Sequence, residues 1–503
     1  MKRTLLVFLL VNLVLSACAP ASAPTPTPAP GATPLPTATP LPTATPTPAP
    51  TATPTPIPTI QVGDLSVPDP RVTNPELFDL RNPDAPIPQF VNAMKGIGID
   101  VNPEDVVNGL AANYETRQGL DGKTYVLTTY TAEGKNGAHY SMGLIAEQDE
   151  SGEWRWWELT PRIIDDLFLP TNFGVLLNDQ DYKNPYLPRI ASVIWEQPFS
   201  RTWIEKFGRS QIDKLMRLLK SLENKPVLYM HPGMWHLDID SNLKKASSRE
   251  EVINYINQIA DDYMTNAKIA HEITGKPVMI NFVNEPWWAD PPNNPVNVGW
   301  LESPYYRYLG KDYLVEGYLA FYNAGIEKGL RPGEDFRLIL SVDGIFFPNP
   351  KLDLAINTIN TMKRKISERL GIPIENVQID LAIQWRFDPT VSGGKMSNEG
   401  RYRMPTENEI ITALRKIREA GIPFHITEFE VANTPDEEFD RILYTYSQLA
   451  VENGALTVTY GGISHTERNP FTDIRHPVYE NGHFTSTYYA YLSLVYSLLE
   501  KRS

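Results

Sequence analysis

Two glutamates stand out by where they sit. Glu285 follows the apolar run Pro277-Val278-Met279-Ile280-Asn281-Phe282-Val283-Asn284. Glu428 lies within Phe424-His425-Ile426-Thr427-Glu428-Phe429-Glu430-Val431, a run entered through a Gly421-Ile422-Pro423 turn. Both runs have the composition of buried β-strands. Two carboxyl groups carried to one place by two strands suit glycoside hydrolysis. One protonates the leaving oxygen while the other attacks the anomeric carbon or activates a water. Either motif alone is weak, because a lone glutamate is usually a solvated charge. Their matched placement at strand ends makes catalysis the better reading.

The chain between them must bring those strand ends together. From Pro161 onward, eight strand-like runs alternate with helical ones: 173–178, 191–196, 226–231, 278–285, 337–343, 378–384, 424–430 and 456–463. Ser210 with Asp213 can cap a helix, Ser248 with Glu251 and Thr406 with Glu409 are spaced as capping boxes, each before an apolar helical stripe, and a closing helix is expected over 486–500. Eight alternations predict a parallel (β/α)8 TIM barrel over 161–503. An open doubly wound sheet is disfavoured because no Gly-rich phosphate loop follows the first strand. Strands four and seven lie three apart around a closed barrel, so their ends can converge over its mouth.

Residues 64–160 read as a small accessory α+β element, with strands at 124–130, 139–147 and 153–158. Trp154, Trp156 and Trp157 either pack this element onto the main domain, the favoured reading, or form a sugar platform. Residues 19–63 are a Pro/Thr/Ala-rich linker, and the stretch 19–60 holds 15 prolines and no charged residue. Such a tract cannot bury enough apolar surface to fold, and it biases to extended polyproline II. Residues 1–18 have a basic start, an apolar run from Leu5 to Leu15 and the order Leu-Ser-Ala-Cys, with the small residues before the expected cut and the cysteine first after it. This resembles a bacterial lipoprotein signal with Cys18 as the lipidated residue. A lipid-anchored or secreted, extracytoplasmic protein is therefore expected, touching the membrane only through that anchor.

Cys18 is the only cysteine, which excludes an intrachain disulfide. The formal net charge of −14 argues against a nucleic-acid partner. His231 and His236 stand five apart with no further ligand cluster, so no metal is expected. No cofactor is expected either, and the chain is expected to be monomeric.

The motifs resemble those of glycoside hydrolase family 10, the xylanase-type barrels. Asn284-Glu285 after an apolar strand is similar to that family's acid/base motif. Ile426-Thr427-Glu428-Phe429-Glu430 is similar to its nucleophile motif, usually Ile-Thr-Glu-Leu-Asp. Tyr229 to His236 resembles the third-strand motif, where His231 and Trp235 would line a sugar subsite. Ile379 to Gln384 resembles the sixth strand, ending on Gln384 near the nucleophile. The resemblance spans about residues 165–500. It implies a (β/α)8 barrel, retaining chemistry and a β-1,4-linked, xylan-like substrate, with Glu285 as acid/base, Glu428 as nucleophile and Asn284 on the sugar 2-hydroxyl.

Departures fall mainly on the glycone side. The second-strand pattern is Glu196-Gln197, with Ser200 and Arg201 near the place of a family lysine. The fifth-strand Asn-Asp pair appears as Ser341-Val342. Arg386 replaces a histidine that contacts the nucleophile, and Tyr460 replaces an eighth-strand tryptophan. Arg386 is expected either to hold Glu428 ionised or to form a rim salt bridge. Trp287 and Trp288 flank the aglycone side or pack the loop, and Asp380 and Glu430 are expected to be supporting groups. The leading expectation is an endo-β-1,4-xylanase-like hydrolase. The alternatives are a hydrolase of another β-glycan and a non-catalytic polysaccharide-binding surface protein on the same barrel.

Overall fold

The structure, a computed structural model, describes residues 56–169, 172–176, 193–196, 198–223, 225–289, 298–392, 401–460, 478–480 and 482–501. Cys18, the signal-like flank and nearly all of the Pro/Thr tract lie outside the described residues. So do the 177–192 and 461–477 segments.

Eight strands form the barrel: Asn172–Leu176, Val193–Glu196, Val227–Met230, Val278–Asn284, Phe336–Asp343, Asp380–Phe387, Phe424–Val431 and Ala455–Tyr460. Every neighbouring pair is parallel, and the eighth pairs with the first, so the sheet closes on itself. The eight runs read from sequence coincide with these eight strands to within a few residues. They are legible because a parallel strand covered by helices outside and side chains inside is apolar along its whole length; Val278–Asn284 is buried at every position.

Period-two alternation sends half of each strand into the barrel interior. On the sixth strand Asp380, Ala382, Gln384 and Arg386 rise through it in turn. Val193, Val227, Tyr229, Met279, Ile339 and Ala382 form an apolar layer of their own. Charged residues lie below that layer and above it.

Two of the three expected caps form as spaced. The Thr406 hydroxyl accepts from Glu409 N while Glu409 reaches back to Thr406 N, a complete capping box on helix Glu407–Glu419. Ser248 caps Arg249–Thr274 through Glu251 N, but the Glu251 carboxylate turns to Ser247 N instead. Ser210 does not cap. A short helix, Arg201–Phe207, runs through Gly208 directly into Ser210–Ser221, leaving Arg209 at the N-cap with its side chain turned to Asn266 and no capping bond.

The segment ahead of the barrel carries a hairpin (Thr59–Val62 with Leu65–Pro68), helices Pro86–Gly96 and Pro103–Ala112, and a four-stranded antiparallel sheet. Its strands are Tyr114–Gln118, Thr124–Glu133, His139–Gln148 and Trp154–Glu158. The polar edge strand at 114–118 is not apparent from its composition. Trp156 is buried, and its indole N–H donates to Pro68 O at 2.8 Å; Trp154 joins the same small core and Trp157 packs on the main one. Full burial of a large apolar side chain, as at Trp156, contributes roughly 1.5–3 kcal/mol. The closing helix Ser486–Glu500 lies along this sheet, tied by Ser141–Ser493 and Tyr496–Glu115 hydrogen bonds.

Candidate active site

At the C-terminal mouth the strands stop being regular. Among the described residues, only Glu285, Glu428 and Asn433 combine a side chain with positive φ, at +46°, +53° and +54°. A non-glycine residue held there costs on the order of 1–3 kcal/mol, which the surrounding structure must offset. Two of the three are the glutamates singled out by sequence.

The distortion has a local cause. Opposite the sixth strand, Gln384 pairs with Thr427 but Arg386 pairs with Glu430, so Glu428 and Phe429 face one residue; this is a β-bulge. The fourth strand slips likewise against the fifth between Asn281 and Val283, and the Glu285 amide then donates to Ser341 O at 2.9 Å. Bulges re-aim side chains, and here they turn both carboxyls to the mouth. In the seventh strand every residue but Glu428 is buried, and in the sixth every residue but Arg386.

Electrostatics tie these groups into one cluster. Although its side chain is only half-buried, the packed mouth strips enough water from Glu428 to push it up to about 8, with the Arg386 guanidinium opposing and the charges of Glu285, Glu430 and Asp343 adding to the rise. Burial also raises Glu285; Asp343 adds to the rise, while Arg386, Lys351 and a 3.0 Å hydrogen bond from Trp235 Nε1 to Oε2 oppose it. Arg386 lies in the fields of Glu430, Glu428, Glu285 and Asp343, with Nε 3.6 Å from Glu430 Oε2. Burial raises Glu430 as well, against Arg386 and Arg401, so three of the four carboxyls are held above the ordinary carboxylate range while Lys351 and Tyr402 hold Asp343 below it.

Beneath the carboxyls runs a buried polar network. The Asn281 amide lies 2.6 Å from His231 Nδ1 and 3.1 Å from Asn284 Oδ1. Gln384 Nε2 donates to Asn284 Oδ1 and to Ser341 Oγ, both at 3.3 Å. Burial pushes His231 down to about 3, so it is a neutral, positioned imidazole. Asn284, His231, Trp235, Gln384 and Arg386 thus gather around Glu285 and Glu428.

Tyr460 is buried, its ring against Phe439 at 5.6 Å, within the fields of Glu430 and Asp440. Glu196 ends the second strand, and its side chain lies outside the described residues. Arg201 supplies no cation to the mouth, because it is paired with Asp262 at 2.5 Å while Asp238 caps the turn at Ser200. Trp287 is buried against Trp300, a packing role; the Trp288 side chain lies outside the described residues. Asp380 stands at the opposite end of the barrel from the glutamates, bound to Arg337 and His425. Among the described residues no three of His, Cys, Asp and Glu are grouped to hold a metal ion.

Sequence reasoning missed Asp343, Lys351 and Tyr402. Asp343 ends the fifth strand one residue beyond the Ser341-Val342 pair, and its carboxylate takes hydrogen bonds from Lys351 Nζ and Tyr402 OH. The available signal was the same as for the glutamates: a carboxylate at the C-terminal end of a barrel strand. His236, which closes the third-strand motif, lies in the fields of Asp343 and Lys351.

No family model matches the chain, and no curated protein sequence does. Solved structures match its fold. Xylanase 10B from Thermotoga petrophila RKU-1 in complex with xylobiose superposes with a TM-score of 0.52 at 14% identity, covering 68% of this chain and 99% of that one. Native xylanase 10B from Thermotoga maritima gives 0.51 at 15%, covering 68% and 100%. The Penicillium canescens endo-1,4-beta-xylanase XylE gives 0.52 at 12%, covering 67% and 98%. At such identities the likeness is one of architecture: a (β/α)8 barrel of the kind that xylanases use.

Proposed function

We propose that this chain is a retaining glycoside hydrolase acting on a β-1,4-linked, xylan-like polysaccharide. The observation that carries the reading is that Glu285 and Glu428, from strands four and seven, share one charged cluster at the mouth in strained, bulge-directed backbone. Likeness of fold to xylanases supports the substrate class.

Glu285 gives its proton to the glycosidic oxygen as Glu428 attacks the anomeric carbon. Glu285 then takes a proton from water, which opens the glycosyl-enzyme. Burial and the crowd of carboxylates supply the proton that the first step needs. Arg386 lowers both carboxyls of the pair, and the reaction runs from the form in which Glu428 is the ionised member. Trp235 fixes the Glu285 carboxyl, Asn284 faces the 2-hydroxyl, and the Asn281–His231 and Gln384–Ser341 contacts hold Asn284 in place.

A different β-glycan is the second reading, favoured by Arg201 being committed to Asp262 and Tyr460 being packed away, both on the side where glycone contacts are expected. The leader and linker suggest tethered display outside the cytoplasm, where polymers are met. Incubating the protein with xylan and with β-glucans, and following the anomer released by NMR, tests the assignment. Retained configuration is expected, with turnover falling roughly 10⁴-fold in Glu428→Ala and in Glu285→Ala. Binding of either polymer with no sugar released by the wild type would leave a non-catalytic binding protein.

A further inference from the structure

Glu285 faces charge from every element around it. Asp343 comes from the fifth strand, Lys351 from helix Pro350–Leu370, Arg386 from the sixth strand and Glu428 from the seventh; Trp235 donates to it from the loop after the third. His236, on that same loop, and Tyr402, after the sixth strand, complete the set through Asp343. Of these, Asp343 is the most firmly held. Lys351, itself almost wholly buried, binds Oδ1, and the buried Tyr402 hydroxyl binds Oδ2. The next residue, Gly344, has φ of +66°, and a Cβ there would fall 2.6 Å from the Tyr402 ring and hydroxyl. The backbone beside Asp343 is thus shaped to let Tyr402 reach it. Two residues earlier, Ser341 O accepts from the Glu285 amide, so the two carboxyl-bearing backbones are locked in register.

Resting on the glycosidase reading above, we propose that Asp343 is a positioning residue for the acid/base. Clamped by Lys351 and Tyr402, it holds a fixed negative charge beside Glu285, so that Glu285 keeps its proton until the leaving oxygen takes it. The neighbouring charge that readies the acid then comes from an adjacent strand as well as from the nucleophile. It persists after Glu428 has become a neutral ester, when Glu285 must recover the proton from water.

The test follows the Glu285 carboxyl by 13C NMR in glutamate-labelled protein, its resonance identified by its loss in Glu285→Gln. In Asp343→Asn the titration midpoint should fall by about 1 pH unit. The basic limb of kcat should move the same way, with poor leaving groups losing more rate than activated aryl glycosides. The double variant Asp343→Asn/Lys351→Met leaves no unpaired buried cation and should show a smaller fall in the same direction, which covers the case in which the single variant does not fold. A midpoint unmoved in either folded variant overturns the proposal and leaves Asp343 as packing. Because the titration needs no turnover, a wild type that hydrolyses nothing would sink the glycosidase reading while the NMR still decides the role of Asp343.

Discussion

The two ends of this barrel both enclose carboxylates and treat them in opposite ways. At the lower end Asp380, which opens the sixth strand, receives Arg337 at 2.5 and 3.0 Å and His425 Nε2 at 3.1 Å, while His425 Nδ1 meets Thr457 at 3.0 Å. Burial pushes Asp380 up, but His425 and Arg337 outweigh it and hold the carboxyl below its ordinary range. Six residues along the same strand Arg386 faces four carboxyls, and both catalytic candidates are raised. The lower cluster is charge-balanced on strands without left-handed residues. The upper one is charge-frustrated on bulged, left-handed backbone. A barrel can keep rigidity at one end and store reactivity at the other because an apolar layer separates them.

If that contrast is right, neutralising each end should change stability with opposite sign. Asp380→Ala strands Arg337 and His425 and should cost about 3–5 kcal/mol in denaturant unfolding, as breaking a buried pair does. Glu428→Gln removes a raised charge and should stabilise by about 1 kcal/mol while turnover disappears. A Glu428→Gln variant less stable than wild type would mean that the mouth is not frustrated.

Arg386 sharpens the contrast further. Because it lowers Glu428 and Glu285, replacing it with Gln should raise both, and Glu428 must be ionised to attack. The acid limb of kcat/KM should therefore move to higher pH by roughly 1 unit. An unmoved limb accompanied by a rise in KM alone would assign Arg386 to sugar binding.

How much of this was readable beforehand follows from which signals are local. Strand-four and strand-seven runs, with Glu285 and Glu428 in them, show in composition because a strand buried on both faces has to be apolar. The (β/α)8 closure follows from counting alternations. What lies outside local sequence is the bulge at Glu428-Phe429, set by the register against Gln384 and Arg386, and the clamp on Asp343, assembled from a helix start and a loop distant in sequence. The Ser210 cap failed for a similar reason: a preceding helix, invisible in the Ser210–Asp213 spacing, occupies the approach. Trp287 shows that even a tryptophan next to the acid can be packing, decided by a hairpin partner, Trp300, thirteen residues on.

Asp440 is the sharpest challenge to reading a raised carboxyl as a functional one. It sits on helix Asp436–Glu452, wholly buried where that helix meets the closing helix and the 139–148 strand. Thr487 Oγ1 donates to it at 2.8 Å, yet burial still pushes it up to about 7, with Asp436 adding to the rise and Ser486, Thr487 and Tyr140 opposing. The unfolded chain releases this proton near pH 3.8 and the folded chain near 7. The cost of burying this carboxyl is therefore absent below pH 4, grows as the pH rises through that interval and is constant above it. Asp440→Asn should remove that slope and raise the melting temperature at pH 8 by a few degrees, with kcat unchanged. Equal pH-dependence of melting in wild type and variant would show the carboxyl to be ionised and otherwise compensated. A loss of turnover would place the seam in the catalytic machinery, and the division between a balanced frame and a frustrated mouth would have to be redrawn.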